Sequence, residues 1–259
     1  MKHITSRDNP AFKQLSRLGA HAGRRGAQAL LEGVHLCQAW LQHVGAPSMA
    51  VFDAERVQYP ELAALLAALP SNLVLLADAR LLRQLETVET GQGVLFVVDP
   101  PEPALPARLA EPMVWLDRVQ DPGNVGTILR SCAAAGIERV LLSAGCAAAW
   151  SPKVLRAGQG AHFALALHEH VDLPGCTERL EVPLAVTTLG NAVSLYEAAL
   201  PAACAWVFGH EGQGVSPALQ QAAVLRVRID HEPAVESLNV AVAAALCLFE
   251  QRRQHRAGG

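Results

Sequence analysis

Arg228-Ile229-Asp230-His231-Glu232-Pro233-Ala234-Val235-Glu236-Ser237-Leu238-Asn239, running on through an apolar stretch to Phe249, decides the architecture of this chain. From Leu238 to Phe249 nearly every residue is Ala, Val, Leu, Cys or Phe. Leu238, Val242, Ala245, Leu246 and Phe249 fall on one helical face, while Val240, Ala244, Cys247 and Leu248 fall on others. The pattern predicts a helix buried on most sides. Its first turn nevertheless carries Glu236, Ser237 and Asn239. Polar groups at the mouth of a buried helix need partners there. Capping of free backbone N–H groups accounts for one of them, which leaves a ligand or a reacting group open for the rest.

Outward from this helix, the second half of the chain alternates between strands and helices. Strands are expected at 113–116, 139–143, 163–167, 184–188, 205–208 and 225–229, with helices at 125–135 and 152–157 and Gly136 as a C-cap. This is the pattern of a largely parallel sheet, in which ligands sit at the carboxyl ends of the strands. The first half also alternates. Helices are expected at 9–19, 34–42, 61–69 and 79–85, and strands at 29–33, 49–52, 73–76 and 94–98. Between the halves stand Pro100, Pro101, Pro103, Pro106 and Pro112. Such density forbids regular structure and stiffens the chain. The expected division is 1–98, a linker at 99–112, and 113–259.

The chain has 259 residues, 51% of them hydrophobic, enough for a sizeable core. Its apolar runs fall short of the ~20 residues of a membrane span, and residues 1–8 lack the apolar core of a signal peptide, so a cytoplasmic location without membrane contact is expected. The six cysteines are scattered and lack a C-x-x-C pair, which argues against disulfides and against a metal site. Net charge is −3, yet residues 1–30 hold Lys2, Arg7, Lys13, Arg17, Arg24 and Arg25 against Asp8 alone. That leaves +5 on the amino-terminal arm and −8 on the rest. A basic arm on an acidic chain is either a polyanion footprint or a solvated helix face.

Three loops at strand ends carry polar residues and glycines. The first, Asp117 to Gly126, feeds a helix whose core stripe is Val125, Ile128, Leu129 and Cys132. Arg130 lies on the other side among small neighbours, free to meet something flat or anionic, or simply on the surface. The second is Thr187-Thr188-Leu189-Gly190-Asn191. The third is Gly209-His210-Glu211-Gly212-Gln213-Gly214, whose glycines permit close backbone approach. Its spacing is neither that of a Walker loop nor G-x-G-x-x-G.

Taken in order, Asn124…Arg130, then Gly209-x-Glu211-x-x-Gly214, then Glu236-Ser237-Leu238-Asn239 resemble the three motifs of the SpoU/TrmH-type RNA 2′-O-ribose methyltransferases of the SPOUT class. Ser151-Pro152-Lys153-Val154, Arg156-Ala157 and Gly160-Ala161 are similar to the segment that follows the family's first motif. The resemblance covers about 113–250. Ser6-Arg7-Asp8-Asn9-Pro10 and Leu30-Leu31-Glu32-Gly33 look like marks of the family's substrate-binding extension.

The resemblance implies a small, L30e-like α/β domain followed by a parallel-sheet domain with a deep trefoil knot. It implies S-adenosyl-L-methionine as cofactor, held by loops matching Thr188-Leu189-Gly190, Gly209-His210-Glu211, and Ile229 with Leu238. His210 occupies a variable position and reads as loop packing. Catalytic and RNA-handling roles would fall to Asn124, Arg130, Glu211, Ser237 and Asn239, with the basic arm of Lys2, Arg7, Lys13, Arg17, Arg24 and Arg25 on the RNA. The family works as homodimers, so the last helix would be partly knot and partly interface. Where the family has Pro, a hydrophobic residue and later Gly after the strand isoleucine, this chain has Asp230, His231 and Pro233. The expected activity is 2′-O-methylation of structured RNA, ribosomal RNA favoured and transfer RNA the alternative. A non-catalytic RNA-binding relative and a small-molecule α/β enzyme remain as competing readings.

Overall fold

A computed structural model describes residues 1–21, 28–86 and 91–256, with backbone alone at 19–21 and 256. The chain forms β1 (Lys2–Ile4), α1 (Pro10–His21), β2 (Ala29–Glu32), α2 (Val34–His43), β3 (Met49–Asp53), α3 (Pro60–Ala67), β4 (Val74–Ala77), α4 (Ala79–Leu82) and β5 (Val94–Val98). It continues as β6 (Met113–Asp117), α5 (Pro122–Ala135), β7 (Arg139–Ser143), α6 (Pro152–Gly158), β8 (Ala166–Val171) and α7 (Leu173–Cys176). The last elements are β9 (Leu184–Thr187), β10 (Val193–Ser194), β11 (Ala205–Gly209), α8 (Pro217–Ala222), β12 (Leu225–Arg228) and α9 (Val240–Arg256).

One compact unit comprises Met1–Pro101 with Trp150–Phe163. Its sheet runs β1-β4-β3-β5-β2, with β1, β4 and β3 parallel and β5 antiparallel to both β3 and β2. Ile4, Phe12, Leu15, Leu30, Val51, Leu81 and Leu95 fill one core beside it. Strand β1 was not expected. Lys2-His3-Ile4 has no alternation of its own and becomes a strand only because Lys2 and Ile4 register against Leu75 and Ala77. Residues 150–163, expected with 113–259, instead pack within this unit. The Trp40 ring meets Phe163 edge-on at 5.4 Å and Trp150 at 6.4 Å, geometries that favour aromatic pairs.

The second unit comprises Glu102–Ala149 with Ala164–Gly259. Its seven strands are ordered β10-β12-β9-β11-β6-β7-β8, and every pairing is parallel. Both faces of such a sheet are covered, and Trp115, Leu141, Val186 and Val207 are fully buried. The proline-rich segment has no regular element, but Leu109 is buried and bridges to this unit. Its N–H donates to the Arg179 carbonyl and its carbonyl accepts from Glu181, both at 2.9 Å.

The edges of three elements differ from expectation. Helix α5 starts at Pro122 because Asp121 caps it, accepting from the Asn124 N–H at 2.8 Å. Residues 161–164 form a 3-10 turn, so β8 begins at Ala166. Helix α9 begins at Val240, which leaves Glu236, Ser237 and Asn239 in the loop before it. The face also differs. Ala241, Ala244, Cys247 and Leu248 are buried, whereas Val242 is 50% and Phe249 46% exposed. In a helix apolar all round, periodicity does not say which stripe faces inward. The small residues win here because α9 packs on α5. Arg252 donates to the Ala134 carbonyl at 3.1 Å, placing a cation at the negative end of α5. Among the described residues no helix is long and apolar enough to cross a membrane.

Candidate active site

Strands β12, β9, β11 and β6 are neighbours and parallel, so their carboxyl ends share one edge of the sheet. The loops leaving that edge enclose a cleft of about 630 Å³ lined by Thr188, Leu189, Gly190, Gly209, His210, Glu211, Ile229, Ser237, Leu238 and Asn239, together with Arg228, His231 and Glu236. Every residue expected to touch cofactor is in this lining, 187–190 from one loop, 209–215 from the second, and 228–229, 231 and 236–240 from the third.

The glycine loop is shaped by its own contacts. A Cβ added to Gly209 would lie 2.3 Å from the backbone of Gly214 and Val215, so only glycine fits where the loop closes on itself. His210 and Gly214 exchange backbone hydrogen bonds of 3.1 and 2.8 Å. The His210 Nδ1 accepts from the N–H groups of Gly212 and Gln213 at 2.9 and 3.2 Å. This places the neutral ring's proton on Nε2 and makes the imidazole a brace for the loop.

Glu211 is the hub. Its Oε1 accepts from the Asp121 N–H at 3.1 Å and the Asn124 amide at 3.0 Å, and its Oε2 accepts from the Gln120 N–H at 3.2 Å. Burial raises the Glu211 pKa, but the Asn124 and backbone hydrogen bonds outweigh it and hold the carboxyl below its ordinary range. The chain of contacts continues from Asn239, whose amide donates to the Asn124 Oδ1 at 2.9 Å. The Asn239 Oδ1 in turn accepts from the N–H groups of Ala241 and Val242 at 2.9 and 3.3 Å, capping α9. Asn124, Glu211 and Asn239, taken from three separate motifs, thus form one hydrogen-bonded row.

Arg130 is exposed on α5, outside the cleft lining, and makes no hydrogen bond or ion pair with a described residue. Of the basic arm, Lys13 pairs with Asp8 at 3.0 Å, Lys2 and Arg7 are exposed, Arg17 is engaged, and Arg24 and Arg25 lie outside the described residues.

Sequence reasoning missed the supports. Asp121 was legible as an N-cap from Asp-Pro at a helix start. Buried Asp117 was not. Its Oδ2 accepts from the Ser216 N–H at 2.7 Å, while Arg118 bridges from Asp117 to Gln213, donating to Gln213 at 2.9 Å. The two residues bolt the glycine loop to β6. Among the described residues no group of three or more His, Cys, Asp or Glu could hold a metal.

The family model of the SpoU rRNA Methylase family matches residues 111–249, more than half the chain. The chain belongs to the SpoU rRNA methylase family. An uncharacterized tRNA/rRNA methyltransferase of Synechocystis is 36% identical to this SpoU chain over 97% of it and 93% of the relative. The 23S rRNA (guanosine(2553)-2′-O)-methyltransferase RlmP of Bacillus subtilis is 32% identical over 97% of this chain and 100% of its own length. An AdoMet-bound rRNA methyltransferase from Sinorhizobium meliloti superposes with a TM-score of 0.83 at 26% identity, covering 97% of each chain.

Proposed function

We propose that this SpoU chain transfers a methyl group from S-adenosylmethionine to a ribose 2′-oxygen of ribosomal RNA. The observation that carries the reading is the Glu211–Asn124–Asn239 row at the mouth of a cleft lined by the three motif loops. The cleft suits the cofactor. Its volume lies within the roughly 300–1,000 Å³ of small-molecule sites. Leu189, Ile229 and Leu238 offer apolar surface, a Cβ at Gly190 would meet only open space, and ionised Glu211 stands where a cationic ligand centre gains from it. When bound, the cofactor supplies a methyl group on a sulfonium.

The chain's own residues then have distinct work. The loops at 188–190 and 209–211, with Ile229 and Leu238, hold the cofactor, and Ser237, Asn239 and Asn124 orient the ribose. Arg130 stays charged, since a neutral guanidine is costly. It binds the phosphate beside the target and stabilises the alkoxide as the hydroxyl proton leaves to solvent. Its lack of a hydrogen-bond or ion-pair partner among the described residues supports a role toward RNA.

Residues 1–98 serve as the RNA-binding domain, L30e-like in fold, with Lys2, Arg7, Lys13, Arg17, Arg24 and Arg25 on the polyanion, and 113–259, apart from 150–163, as the knotted methyltransferase domain. The enzyme works in the cytoplasm as a homodimer. The half-exposed Val242 and Phe249 support that assembly, because an apolar stripe on a helix calls for cover.

The test is transfer of label from S-adenosylmethionine to total ribosomal and transfer RNA stripped of modification. Label in ribosomal RNA, in an alkali-resistant linkage, is the expected result. Label in transfer RNA alone, or in an alkali-sensitive linkage, rejects the substrate or the chemistry respectively.

A further inference from the structure

Strand β12 delivers Arg228 and Ile229 to the cleft, and its free edge is covered by β10, whose Ser194 is buried. Three side chains converge there. The Ser194 hydroxyl donates to the Asp230 carboxylate, and the Arg228 Nε donates to the same carboxylate at 2.8 Å. The Arg228 Nη1 also donates to the Ala192 carbonyl at 2.6 Å. Hydrogen bonds from Ser194 first, and Arg228 second, hold Asp230 below its ordinary carboxylate range, so the cluster stays charged through neutral pH. One residue on, the His231 Nδ1 donates to the Ile229 carbonyl at 2.7 Å, folding that ring back onto the strand end.

The segment from Asp230 to Asn239 carries much of the site yet is fastened chiefly at its ends. Upstream stands the Ser194–Asp230–Arg228 cluster. Downstream stands Asn239, bonded to Asn124 and to the first turn of α9. Between them the backbone makes a Glu232-to-Val235 turn, and residues 232–237 are exposed. Asp230 also stands where the family resemblance leads one to expect a proline, whose ring would fix the backbone covalently. An aspartate lacks that constraint, and here its side chain supplies one.

We propose that Asp230 is a positioning residue for the methyl-donor site, setting the backbone of Ile229 at the cleft by tying β10 and Arg228 to the start of the loop. Its effect is on holding the donor, whereas the Asn124–Asn239 end governs the reacting ribose. The inference rests on the cofactor reading of the cleft.

Calorimetric titration of S-adenosylmethionine into wild type, Asp230→Ala, Asp230→Asn, Ser194→Ala and the Asp230→Ala/Ser194→Ala double variant tests it. It is paired with single-turnover transfer to unmodified ribosomal RNA at saturating cofactor. Asp230→Ala is expected to weaken cofactor binding about tenfold or more, the scale of lost charge-assisted hydrogen bonds, with the saturated rate within about threefold of wild type. Adding Ser194→Ala to it changes little further, because the two residues act through one contact. Asp230→Asn keeps an acceptor for Ser194 and recovers part of the affinity. Should Asp230→Ala not fold, Asp230→Asn and Ser194→Ala decide, each expected to bind several-fold more weakly. Wild-type affinity in the variants, or a loss of saturated rate with affinity intact, overturns the proposal. Failure of the wild type itself to bind cofactor overturns the reading of the cleft instead.

Discussion

The side-chain amide of Asn239 donates to the side-chain carbonyl of Asn124 across 2.9 Å, joining the loop before α9 to the first turn of α5. Because the Asn124 amide is at the same time committed to Glu211, each group in the row has its orientation dictated by the next. Replacing Asn124 by Ala is expected to lower the methyl-transfer rate by about 10²-fold or more. The cost in stability should be about 1 kcal/mol, that of an ordinary hydrogen-bonded side chain. Rates at saturating RNA and cofactor beside urea unfolding check this. A rate loss no greater than the fraction unfolded would mean that the row is structural only.

Arg130 should separate activity from stability more sharply still. It is exposed and makes no hydrogen bond or ion pair with a described residue. Arg130→Ala therefore leaves the melting curve within about 0.5 kcal/mol of wild type, and cofactor affinity unchanged. Transfer falls by about 10²–10⁴-fold. Equal loss of cofactor affinity would refute the assignment.

Glu211 sets an acid limit. Its folded pKa lies below the unfolded value because Asn124 and two backbone N–H groups outweigh burial. A depressed carboxylate contributes stability above the unfolded pKa, and that contribution is lost as pH falls through the folded one. The stability gap between wild type and Glu211→Gln is thus expected to be full above about pH 5 and to close on further acidification. Denaturant midpoints between about pH 3 and 7 read it directly. A gap that widens toward acid has the wrong sign.

Gly209→Ala should be the most damaging single methyl group in the site. The added carbon would sit 2.3 Å from the Gly214 backbone, which has no flexible end to move aside. A cost of about 1–3 kcal/mol is expected from overpacking, along with loss of cofactor binding as the glycine loop is pushed open. Retained affinity in a folded Gly209→Ala protein would show the loop to be dispensable.

Phe249→Asp tests the exposed stripe of α9. Phe249 and Val242 are about half exposed in the single chain. Sedimentation should give a dimer for wild type and a monomer for the variant, whose fold is otherwise kept. A monomeric wild type would dispose of the assembly proposal.

Much of the sheet was legible because buried parallel strands read as short apolar runs between glycine and proline, as in Met113–Asp117 and Ala205–Gly209. Motif spacing identified the loops that share the cleft. What sequence withheld were features decided by partners. Lys2-His3-Ile4 is a strand only beside β4. The inward stripe of α9 is chosen by α5, since alanine, valine and leucine on all sides leave periodicity without a direction. Asp117 looked like one more loop residue, and only the folded chain brings the Ser216 N–H to it from 99 residues away.

The strand order has a temporal consequence. Asn124 meets Glu211 across a separation of 87 residues and Asn239 across one of 115. Loop closure over such spans is slow, and synthesis runs from the amino terminus. A nascent chain therefore displays a basic arm and most of a parallel sheet well before it owns a site. Until the segment beyond β12 has been made and joined to Asn124, the protein is a stranger to its own cofactor. Any chaperone that holds the chain during that interval acts on an unfinished cleft, and not on an idle enzyme.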